Sequence, residues 1–202
     1  MKPFLPFARR RVLRALRDRS GITIVEFGIM APTFIVLLMG MLDVGQLAYA
    51  RVLLNGAITE AARNATMETA DLAYIDALVE SRVKPIVTDV NVEAKRVSYY
   101  DFTDIGRPEK WNDKNKNGTC DNGETFTDEN GNGGWDPDVG EEGNGGANDA
   151  VLYTVTANYR SNFPVPFMPE GWANRQLVAK AVRKNQPYAN QASYGTSAGA
   201  CS

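Results

Sequence analysis

The sequence predicts an α+β fold: one long N-terminal helix that crosses a membrane and continues as a stem, then a small antiparallel sheet domain carrying a long acidic insertion. Three observations predict it. A basic leader runs directly into an apolar stretch. That stretch passes into an amphipathic helical pattern. Three β-branched segments follow, separated by a glycine- and acid-rich excursion. A chain of 202 residues has room for one modest domain beyond a membrane segment.

Charge is distributed unevenly. Seven Lys/Arg and one acid lie within residues 1–20, leaving 15 basic and 23 acidic residues, a net of −8, for the remainder. Such a leader followed at once by apolar residues points to a membrane rather than to nucleic acid, and no groove-reading motif accompanies it. The chain has no histidine. It therefore lacks the commonest general base and the commonest transition-metal ligand, and with no nucleophile motif or phosphate loop it is read as non-enzymatic.

Phe27–Leu42 is a run of 16 uncharged residues, roughly 24 Å of helix against a bilayer core of about 30 Å. VGQLAYA after Asp43 extends it with weakly polar residues. A buried core helix would not have such lopsided flanks. The arginine cluster places the N-terminus in the cytoplasm and everything after about residue 50 on the far side. Glu26 borders the run and Pro32 lies inside it, where a missing N–H predicts a kink that membrane helices tolerate. On the residues alone, Glu26 reads first as a first-turn acid favoured by the helix dipole, with Ser20 as N-cap.

Residues 21–27 read Gly-Ile-Thr-Ile-Val-Glu-Phe. A glycine, four residues, then Glu26 and Phe27, after a basic leader, resembles a type IV prepilin processing site. Together with Pro32, Asp43, Gly45 and the closing Ala61-Ala62-Arg63, the stretch from about residue 20 to 66 resembles the TadE-like minor pseudopilins of tight-adherence (Flp, type IVc) pilus systems. The resemblance implies a leader over 1–21, cut by a prepilin peptidase between Gly21 and Ile22, and a transmembrane and stem helix over 22–66. It implies that Glu26, fifth in the mature chain, neutralises a neighbour's terminal amine during assembly. Such an amine is largely protonated at neutral pH, and a buried carboxylate and amine are tolerable as a pair where each alone is costly. The implied partners are other pilins and the inner-membrane assembly platform. The implied location is the bacterial inner membrane, single-pass, with a periplasmic C-terminal domain that becomes extracellular if it enters a pilus. Ala48-Tyr49-Ala50 offers a competing signal-peptidase site, at the end of a segment longer than the usual ~15–30 residues.

Beyond the membrane, Leu47, Ala50, Leu54, Ala57, Ile58, Ala61 and Ala65 recur at helical spacing, with Arg51, Asn55, Glu60 and Arg63 opposite. Their small side chains let a sheet or other pilins approach closely. Residues 71–83 form a second amphipathic helix, ending before Pro85. The periplasmic α+β domain is expected over 67–184, with strands at Asn91–Phe102, Ala150–Tyr159 and Arg175–Arg183 and a rigid apolar turn at Phe163–Pro169. The tail, 185–202, is small and polar and is expected to be flexible. Whether Cys120 and Cys201 pair is left open by their spacing.

Residues 101–149 hold 13 acids, four Lys/Arg and ten glycines. An insertion of that composition, placed at 104–149, cannot bury a core and needs something else to order it. Asp113, Asn115, Asn117, the Thr119 carbonyl, Asp121 and Glu124 fall at positions 1, 3, 5, 7, 9 and 12 of a twelve-residue calcium loop, with Gly118 at 6. Asp128, Asn130, Asn132, the Gly134 carbonyl and Asp136 repeat the pattern 15 residues on. Val139 holds position 12 there, so Asp138 or Glu141 is expected to substitute. The stretch resembles the DxNxNGxxDxxE repeats of extracellular bacterial proteins, and Ca2+ is the expected cofactor. The alternative is a solvated acidic loop of Asn-Gly turns. An alternative function follows too: a membrane-anchored calcium-binding adhesion module unrelated to pili.

Overall fold

The computed structural model describes residues 22–121 and 123–201. The leader, with Gly21 and Ser20, lies outside them. Helix α1 (Ile22–Asn64) is continuous through Pro32. It is long and apolar enough to cross a membrane, and its most apolar stretch is not buried by the rest of the chain. The first buried residue along it is Asp43.

From there the stem stripe meets the domain. Ala50, Leu54, Ala57, Ile58, Ala61, Ala62 and Ala65 are buried, and Arg51, Asn55, Glu60 and Arg63 are exposed. The stripe packs on the protein's own sheet, as one of the two expected uses has it. Alanines keep the helix close to Ala157 and Ala179 in the same apolar cluster. Helix α2 (Leu72–Val83) adds Ile75, Val79 and Val83 to this core, and its N-cap, Asp71, accepts the Tyr74 N–H at 3.0 Å.

The main sheet is antiparallel, ordered β3-β1-β4-β5: β1 (Thr88–Tyr99), β3 (Glu141–Glu142), β4 (Ala150–Arg160) and β5 (Asn174–Lys184). The three long strands match the expected segments within a few residues. Alternation sends Tyr153, Val155, Ala157 and Tyr159 of β4 toward the helices. Asp76 of α2 is joined to this sheet by two hydrogen bonds from Arg96, at 2.9 and 2.5 Å, and one from the Tyr153 hydroxyl at 2.6 Å. Burial first, and then Asp76, push the Tyr153 hydroxyl well above the usual phenol range.

A second, two-stranded sheet pairs β2 (Thr125–Asp128) in the insertion with β6 (Ser197–Ala200) in the tail. The tail is thus docked rather than flexible. Gly195 N–H donates to the Glu129 carbonyl at 2.8 Å, and Cys201 N–H to the Glu124 carbonyl at 3.0 Å. Small residues serve close approach here: a Cβ on Gly199 would collide with the Phe126 ring, and one on Gly195 with the Asp128 carbonyl. Cys120 and Cys201 form a disulfide, with Cα atoms 5.4 Å apart across 81 residues of sequence.

Candidate functional site

Two regions carry the chemistry that the sequence singles out. The first is the uncovered half of α1. Glu26 and Phe27 lie in its opening turns and are exposed, as are Ile24, Val25, Ile29 and Met30. Ile22 opens the helix. The covered half starts at a polar joint. Asp43 pairs with Arg175 of β5 at 2.5 Å and accepts a hydrogen bond from the Ser161 hydroxyl, with only 7% of its side chain exposed. One turn on, Gln46 donates to the Ile86 carbonyl at 2.8 Å and accepts the Asn162 N–H at 3.1 Å. Asp43 therefore fixes the exit of the apolar helix against the sheet.

The second region is the insertion, whose two loops have the same backbone design. In the first, the Asp113 carboxylate accepts the N–H groups of Asn117 (3.2 Å) and Gly118 (3.0 Å). In the second, Asp128 accepts those of Asn132 (3.1 Å) and Gly133 (2.9 Å). Gly118 and Gly133, at position 6 of each loop, take φ of +80° and +86°, where a side chain would be strained. The Thr119 hydroxyl donates to the Asn117 amide oxygen at 2.8 Å.

Glu124, the twelfth residue of the first loop, accepts the N–H groups of Lys114 at 2.7 Å and Asn115 at 3.4 Å through Oε1, and of Asp121 at 3.1 Å through Oε2. These are positions 2, 3 and 9. In the second loop the same three positions, Glu129 (2.7 Å), Asn130 (3.2 Å) and Asp136 (3.2 Å), donate in the same pattern to Glu109. Glu109 is fully buried and lies before the loop it completes. It was not foreseen, because nothing in its spacing marks it; the only signal was the missing acid at Val139. Of the two expected substitutes, Asp138 accepts the Tyr99 hydroxyl at 2.9 Å, and Glu141 is exposed in β3. Burial, then Asp138, push the Tyr99 hydroxyl up to about 12.

The two loops are also tied to each other's flanks. Arg107 holds Glu129 and Asp104, each at 2.9 Å. Burial opposes the charge on Glu129, but the Arg107 hydrogen bonds and the Lys110 N–H outweigh it and leave the carboxyl below its ordinary range. At position 9, Asp121 accepts from the amide groups of Asn115 and Asn117, and Asp136 from those of Asn130 and Asn132. These amides hold Asp121 below the usual carboxylate range. No three acidic or sulfur side chains among the described residues gather closely enough to hold an ion.

An apolar helix, bare along its first half, long and apolar enough to cross a membrane, and folded on its own small sheet along its second half defines an α+β protein with one candidate membrane span among the described residues. Over residues 21–63 the chain matches the family model described as TadE-like protein, and the segment is consistent with a component of the tight-adherence pilus system. The match ends where α1 ends, so the sheet and insertion lie beyond it. Comparison with curated proteins and with solved structures gives no match.

Proposed function

We propose that this chain is a minor pseudopilin, a non-enzymatic structural or assembly component of a tight-adherence pilus. Prepilin peptidase cuts it between Gly21 and Ile22 on the cytoplasmic side of the inner membrane, and the sheet domain stands in the periplasm. The observation that carries this reading is the coincidence of the TadE-like segment with a helix whose first half the protein leaves uncovered. That half is the surface by which other pilins and the assembly platform would be met, and Glu26 is its carboxylate for a neighbour's amine. The test is the mature N-terminus from the native host. Ile22 supports the reading, whereas Arg51 or an uncut leader overturns it. Glu26→Ala is expected to be inserted and cut normally yet absent from sheared pili.

The insertion is, in the same proposal, a calcium-ordered element. Asp113, Asn115, Asn117, the Thr119 carbonyl, Asp121 and Glu124 form one ligand set. Asp128, Asn130, Asn132, the Gly134 carbonyl and Asp136 form the other, with Glu109 in the place of the absent twelfth residue. The fit rests on the backbone: both loops already hold their carboxylates on N–H groups, and the asparagines of each loop gather on its ninth-position carboxylate. Neutral asparagine ligands imply a Kd of about 10⁻⁴–10⁻³ M. At 10 mM calcium one such site would add about 1.4–2.7 kcal/mol. Titration calorimetry is expected to show uptake in the millimolar range, weakened by Asp113→Ala in the first loop and by Glu109→Gln in the second. No heat at 10 mM calcium sinks this part. The calcium pattern also favours a second reading, an anchored calcium-binding adhesion module, which predicts an uncut N-terminus and a dispensable Glu26.

A further inference from the structure

We infer that the β4–β5 loop, residues 161–173, is a second membrane contact, seated in the leaflet from which α1 emerges. The inference rests on the reading of α1 as a membrane span. Ser161 hydrogen-bonds Asp43, so the loop leaves the sheet at the level where the apolar run of the helix ends. Phe163 then shares an apolar recess with Leu42, next to Asp43, and Leu38, just over one turn further back along that run. Leu38, Met41 and Leu42 are 43%, 75% and 49% exposed. A leaflet that covers them also meets Phe163.

The rest of the loop has the composition such a place demands. No charged residue occurs from Ser161 to Pro169, and three of the seven residues from Phe163 to Pro169 are proline. Proline has no N–H to strip of water, which matters because unsatisfied backbone donors are what exclude irregular chain from lipid. Phe163 and Met168 satisfy their own N–H groups, on Ser161 Oγ at 3.2 Å and the Val165 carbonyl at 3.4 Å. The apolar side chains meanwhile face outward. Phe167 is 95% exposed, at a positive φ of 68° that a bulky residue rarely adopts, and Met168 and Trp172 are about half exposed. Trp172 lies beside the Arg175 guanidinium, 5.7 Å from ring centre to Cζ. An indole next to a cation at the end of an apolar helix is the arrangement found at membrane interfaces. The occupant is therefore lipid: the loop continues the surface of the span.

The test uses tryptophan emission of the full chain in phosphatidylethanolamine/phosphatidylglycerol vesicles, with acyl chains either dibrominated or not. A loop in the leaflet makes part of the emission quenchable by brominated lipid, and Trp172→Phe removes that part, because Trp111 and Trp135 pack together in the insertion. In the Trp172→Phe chain, Phe167→Trp restores the quenching from an exposed position that carries no core contact, and Met30→Trp marks the span itself. Quenching at Met30→Trp with equal emission from Trp172 in both lipids overturns the inference and leaves the span intact. No quenching at Met30→Trp removes the span, and the inference with it.

Discussion

Cys201→Ser is expected to cost the protein about 4.5 kcal/mol. The bridge to Cys120 closes 81 residues, and the chain-entropy relation for a loop of that length gives a figure of about this size. The closed loop takes in β2 to β6, so its loss loosens the unfolded ensemble of most of the domain. It also frees the strand that β6 contributes to β2. In urea the unfolding midpoint of the full chain in detergent should fall by roughly 2 M for a slope near 2 kcal/mol/M. Reducing agent should produce the same shift in the wild type and none in the variant. Cys120→Ser should match Cys201→Ser, and the double variant should be no worse than either, since all three remove one bond. A midpoint unchanged by reduction would mean that the tail is held without the bridge.

Arg175→Met is expected to destabilise the joint between α1 and the sheet by about 3–5 kcal/mol, the usual consequence of leaving a buried charge without its partner. Asp43 keeps only 7% of its side chain exposed and has Arg175 and the Ser161 hydroxyl for company. Removing the guanidinium leaves a carboxylate that solvent reaches poorly. The double variant Asp43→Leu/Arg175→Met should recover most of the loss, because an apolar pair of similar volume does not need the ion pair at all. Thermal unfolding in detergent reads both, and the non-additivity separates the charge effect from lost packing. If the double variant is as unstable as the single, the contribution of Arg175 is its aliphatic stem on the helix rather than its charge.

Much of this architecture was legible in the chain. The 3–4 spacing of Leu47 to Ala65 marks a helix face whatever covers it, and those positions are buried from Ala50 on, with Leu47 partly so. The long strands were visible because β-branched residues alternate along them, and alternation needs only neighbours in sequence. The two loops were legible for the same reason: Asp113 holds Asn117 and Gly118, and Glu124 holds Lys114 and Asp121, all within one short stretch of chain. One expectation failed because a small residue has two uses. A tail of small residues suggests flexibility, yet glycine serves just as well where chains pass close, and Gly195 and Gly199 lie against Asp128 and Phe126. Glu109 was not legible at all: in the second loop it accepts the N–H groups that answer to those on Glu124 in the first, from a position outside the loop's own pattern.

The sequence by itself determined the apolar helix with its basic leader, the TadE-like character of residues 21–63, the order of helices and strands, and the local form of both loops. These follow from spacing and composition over a few turns of chain. Only the tertiary structure decided that Cys120 meets Cys201, that Arg175 meets Asp43 across 132 residues, and that Glu109 reaches Asp136 across 27. Each is a pairing between a buried polar or sulfur group and a distant partner. No periodicity encodes such partners, because what brings them together is the packing of α1 on the sheet and of the tail on the insertion.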